Sequence, residues 1–191
     1  MNRKKGISTV VATVLILLIT VVIAGIVSQV VVPFVQKSLS ESRECFVYRD
    51  YFIVEESLGY SCFQKNSNNA FFYGISIKAS VGDDEIANEV NGFKLVFIKD
   101  SSSKTKDVIS GLTKDKNQEG VWILGERVLG GIRIPKQGEV LTYVYNGGIE
   151  EYKKIEVYPI LKSGKICPMT DNMKVIECTK NADGENVDLI S

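Results

Sequence analysis

Residues 7–35 contain no charged side chain, and the residues just before them read Asn2-Arg3-Lys4-Lys5-Gly6. As an α-helix at about 1.5 Å per residue, the apolar run reaches roughly 44 Å. A bilayer's hydrocarbon core is about 30 Å thick and takes about 20 residues to cross. Val, Ile and Thr dominate the run, and β-branching makes such residues indifferent helix formers in water. In lipid the preference reverses: a lone segment satisfies its backbone N–H and C=O groups only by becoming a helix. Its apolar character also extends all round the helix, as in a membrane span or a fully buried helix.

Small polar residues are placed unevenly on this helix. At about 100° per residue, Thr9, Thr13 and Thr20 fall within about 40° of one another, with Ala24 close to the same line. Such a stripe lets helices approach closely; the competing account is that the hydroxyls bond to carbonyls one turn back. Pro33 is expected to bend the helix, because it lacks an N–H and crowds the preceding turn. Arg3, Lys4 and Lys5 precede the run, and Lys37 is the first charge after it. The cationic leader belongs in the cytoplasm, which places residues 37–191 outside.

A secretory signal has an apolar region of only about 7–15 residues and a cleavage site beyond it. This run is too long for that. Two readings remain, an uncleaved single-span anchor or a chain cut on the cytoplasmic side at Gly6–Ile7. The sequence Arg3-Lys4-Lys5-Gly6 followed by ISTVVATVLILLITVVIAG resembles the N-terminus of archaeal type IV pilins, over about residues 2–32. The resemblance implies a precursor with a basic leader, recognised through Arg3, Lys4 and Lys5. A membrane prepilin peptidase would cut it between Gly6 and Ile7. It implies storage of the subunit in the membrane, then assembly by an ATPase and a platform protein into a helical homo-oligomeric filament cored by these helices. Bacterial pilins carry a Glu five residues into the mature chain, where this sequence has Val11. Close packing of apolar helices must then supply most of the cohesion.

The whole chain has 23 basic and 23 acidic residues. It shows no basic stripe interleaved with aromatics, so nucleic-acid binding is not expected. Four cysteines, Cys45, Cys62, Cys167 and Cys178, all follow the apolar run. An even number in an exported segment reads as two disulfides, and local pairs, Cys45–Cys62 and Cys167–Cys178, are favoured among the three possible pairings. Zinc is the weaker account, since no pair has C-x-x-C spacing and the chain has no His.

The expected organisation is a leader (1–6), a membrane-spanning or filament-core helix (7–44) and an extracellular β-sandwich head (45–191), an α+β chain. Short β-branched and aromatic runs at 46–48, 51–54, 71–77, 93–98, 121–124, 128–134, 140–145, 155–161 and 175–178 read as strands. Turn signals at 66–69, 82–84, 91–92, 130–131, 146–148 and 163–164 separate them. Roughly seven to nine strands make a sandwich, with 101–106 and 114–120 as exposed loops. Tyr48, Tyr51, Tyr60, Phe63, Phe71, Phe72 and Tyr73 crowd the start of the head and divide between core and subunit interfaces.

Nothing in the chain assembles a catalytic set, and without His there is no Ser-His or Cys-His pair. The acidic pairs Glu55-Glu56, Asp83-Asp84 and Glu150-Glu151 read as solvated turns or strand edges. In the tail, Asn181, Asp183, Glu185 and Asp188 flank Gly184, but the ligand order and terminal Glu of a calcium loop are missing; a flexible tail is expected. No metal or other cofactor is expected. The reading is a non-enzymatic filament subunit, adhesive in preference to motile. Its alternatives are an archaellin-type motility subunit and an uncleaved membrane-anchored binding module.

Overall fold

The computed structural model describes residues 9–80, 84–111, 120–126 and 132–190. The chain divides into two compact units, Met1–Glu44 and Cys45–Ser191. The first is helical. Helix α1 (Thr9–Ile26) runs into a π turn (Val27–Val31) and on into α2 (Val32–Phe46). In the π turn the Val32 N–H donates to the Val27 carbonyl, five residues back. Pro33 follows at once: it has no N–H, and its ring would press on the carbonyl four residues earlier. One widened turn relieves that pressure without ending the helix.

The head holds nine strands among the described residues, all paired antiparallel within two sheets. Sheet A contains β1 (Phe52–Val54), β2 (Phe63–Lys65), β3 (Phe71–Ala79), β6 (Val121–Ile123) and β7 (Val140–Gly148). Its order is β1-β3-β7-β6, with β2 also on β3. Sheet B has the order β5 (Ser102–Ile109), β4 (Val90–Lys99), β8 (Lys154–Leu161), β9 (Asp171–Lys174). A short helix, α3 (Asp84–Glu89), leads into β4.

Alternation builds the core. Tyr73, Ile75, Ile77 and Ala79 of β3 face inward with Leu141, Tyr143 and Tyr145 of β7, against Phe93, Leu95 and Phe97 of β4 and Ile155 and Val157 of β8. Rings interlock between the sheets, Phe93 on Tyr143 at 5.1 Å and Phe97 on Tyr145 at 4.3 Å between centroids. Such pairs add roughly 0.5–1.5 kcal/mol each beyond the area they bury.

Several expectations change. Residues 46–48 end a helix and enter a turn instead of forming a strand, because α2 continues through Cys45. The strand expected at 175–178 lies earlier, at β9. Most of 101–106, expected as a loop, is β5, a polar edge strand paired with Gly92–Lys99 of β4. Residues 91–92 are a bulged part of β4 instead of a turn. There Gly92 is required, since a Cβ would run into the Val108 carbonyl oxygen. Most of the expected strand at 128–134 lies outside the described residues, and Ile132–Ile134 have no strand pairing.

Candidate functional site

The apolar stretch Val11–Gln36 is the one helical segment among the described residues long and apolar enough to cross a membrane. At about 1.5 Å per residue its 26 residues reach about 39 Å. None of it is buried within the chain: Leu17 is 64%, Val21 70% and Phe34 71% exposed. Apolar surface this extensive on an isolated chain marks a region made for lipid or for other protein.

Of the proposed packing stripe, Thr13, Thr20 and Ala24 are exposed on α1, whereas the side chain of Thr9 lies outside the described residues. The Thr20 hydroxyl donates to the Leu17 carbonyl at 2.8 Å. That is the competing account of this hydroxyl: its polarity is satisfied within its own helix, leaving only its small size to offer a neighbour. Ser28 does likewise, donating to the Ala24 carbonyl at 2.6 Å from the π turn. The leader residues Arg3, Lys4, Lys5 and Gly6, and Ile7 after them, also lie outside the described residues.

All four cysteines are bonded, but not as local pairs. Cys45 joins Cys167 and Cys62 joins Cys178, with Cα atoms 5.3 and 4.9 Å apart. The sheets decide this. The Cys167 N–H donates to the Pro159 carbonyl, laying this segment alongside β8, and the Cys178 N–H donates to the Phe63 carbonyl beside Cys62. Each bridge therefore links the opening of the head to its closing segment. Stable disulfides belong to oxidising compartments, so the head is suited to the outside of a cell.

The crowded aromatics are mostly core. Tyr48, Tyr51, Phe71, Phe72 and Tyr73 are buried, and Tyr60 and Phe63 pack half-buried against the two clusters. Five of the seven are thus core, while Tyr60 and Phe63 keep part of their surface accessible. The Tyr73 hydroxyl donates to the Glu150 carbonyl and accepts from the Tyr152 N–H, both at 2.8 Å. Burial pushes its pKa up to about 12.

Nor is the tail loose. Val187 and Leu189 are buried with Cys62, Phe72 and Val144 on the outer face of sheet A. The Leu189 N–H donates to Gln64 Oε1 at 2.7 Å. Asn181 Oδ1 accepts from the N–H groups of Asp183 and Glu185, at 3.1 and 2.8 Å, so this oxygen holds a turn. No group of three or more His, Cys, Asp or Glu side chains placed to share a metal ion occurs among the described residues.

Electrostatic features are structural. Glu139 accepts from the Lys136 N–H at 2.8 Å and from Arg133 Nη1 at 2.7 Å; these hold its carboxyl below the usual range. Glu156 is lowered by hydrogen bonds from Lys154 and Tyr158, and that bond in turn raises Tyr158 to about 12. Comparison with protein-family models and with curated proteins finds no match to this chain.

Proposed function

We propose that the chain is a pilin-like structural subunit of an archaeal surface filament, cut between Gly6 and Ile7 and polymerised through its N-terminal helix, with the head outermost and adhesive. The observation that carries this reading is the pairing of an apolar helix with no buried residue, Val11–Gln36, with a disulfide-bonded β head. The basic leader ending in Gly6 supports it from the sequence. A filament core needs helices that meet other helices on every side, and an all-round apolar surface with a small-residue line suits that. Before assembly the same surface suits lipid.

The test is the N-terminal residue and intact mass of the protein from its native cells. A chain beginning at Ile7 supports processing. A chain retaining Arg3, Lys4 and Lys5 overturns it and leaves a membrane-anchored binding module. A bulky residue in place of Gly6 is expected to abolish both cleavage and filaments while the precursor accumulates in membranes.

A further inference from the structure

The two disulfides do more together than either does alone. Their sequence separations are 122 and 116 residues, and they overlap: Cys45 and Cys62 open the head, Cys167 and Cys178 close it. The covalent chain therefore contains a closed ring running Cys45–Cys62–Cys178–Cys167 and back to Cys45. One arm is the peptide from Cys45 to Cys62, about 17 residues or roughly 60 Å drawn out. The other is the peptide from Cys167 to Cys178, about 11 residues or roughly 40 Å. Strands β2 to β8, and with them most of the core of both sheets, lie between Cys62 and Cys167.

We propose that this ring is a tension-carrying device: force entering the head at Cys45 from the N-terminal helix passes along the arms of the ring and bypasses strands β2 to β8. Two consequences follow from connectivity alone. Tension between the helix and the tail has no covalent route through β2 to β8 shorter than either arm, so those strands stay out of its path, and only the edge strands β1 and β9 lie on the arms. Tension applied at any residue between Cys62 and Cys167 divides between two chain directions, which must both give way before the head unravels. The ring also tolerates damage. A single backbone cut anywhere between Cys45 and Cys178 leaves the head in one covalent piece. Such a device has a purpose in a chain held by its helix and pulled from outside. In that sense it rests on the surface-subunit reading, although the ring itself is a property of the isolated chain.

The experiment is single-molecule stretching of the full chain in detergent, held by peptide tags at its two ends, before and after addition of a thiol reductant to the same tethers. The oxidised head is expected to release no more than the short arm, and reduction to lengthen each tether by about 430 Å. The Cys62→Ser/Cys178→Ser variant is expected to match the oxidised chain. The Cys45→Ser/Cys167→Ser variant is expected to exceed it by only about 20 Å, the difference between the arms. Release of several hundred ångströms from the oxidised chain, as local Cys45–Cys62 and Cys167–Cys178 bridges would allow, overturns the proposal. So does a long release in either two-serine variant while it is oxidised. These readings do not depend on whether the native chain begins at Ile7, so failure of the ring and failure of the filament reading are told apart.

Discussion

At the scale of the residue, the head depends on positions where a side chain has no room. A Cβ on Gly74 would run into the Tyr60 carbonyl oxygen and come within 2.8 Å of the Leu189 side chain. Gly74→Ala is expected to cost about 1–3 kcal/mol, the usual range for overpacking, read as a lower denaturant midpoint of the purified chain. Glu139 gives a prediction with a sign. Its folded pKa lies below its unfolded value, because the Lys136 N–H and Arg133 favour the charged form. Its stabilisation is therefore present above the unfolded value, near 4.5, and is lost as the pH falls through the folded value. The gap in unfolding midpoint between the natural chain and Glu139→Gln should shrink between pH 7 and pH 3. A gap independent of pH would refute the assignment.

Among the elements, the helix and the tail show opposite kinds of legibility. The helix was plain from an uncharged apolar run, and its continuation past Pro33 needed only a widened turn. Leu17→Lys is expected to cost about 3 kcal/mol in lipid, seen as weakened membrane insertion in a fractionation assay. The tail was not legible. Its polar residues read as a loose end, but two apolar anchors, Val187 and Leu189, fold it over sheet A. Leu189 is fully buried, so Leu189→Ala is expected to cost about 2–5 kcal/mol in thermal or denaturant unfolding. Strand β5 is hidden in the sequence for a related reason. It is a polar edge strand, and only Val108 on it is buried. Its strand character comes from hydrogen bonds to β4, and lysines on an edge are a usual guard against further pairing.

For the molecule as a whole, the disulfides set what holds the head closed. Loops of 122 and 116 residues each reduce denatured-state entropy by an amount equivalent to roughly 4–5 kcal/mol in the chain-entropy model. Because the loops overlap, removing the second bridge should cost more than removing the first. Peptide mapping without reduction should find Cys45 linked to Cys167 and Cys62 to Cys178; Cys45 linked to Cys62 would contradict the structure.

The sequence by itself determined whatever is summed over neighbouring residues: the spanning length and lack of charge of the helix, and the β-branched and aromatic runs that mark β3, β4, β7 and β8 as strands. Hydrophobic burial and backbone preference act over a few residues, so they are readable in order along the chain. Tertiary structure alone decided which distant segments meet: Cys45 with Cys167, Leu189 with Gly74, β5 with β4. Those pairings follow from the packing of two sheets and from hydrogen bonds between strands, and nothing local in the chain specifies them.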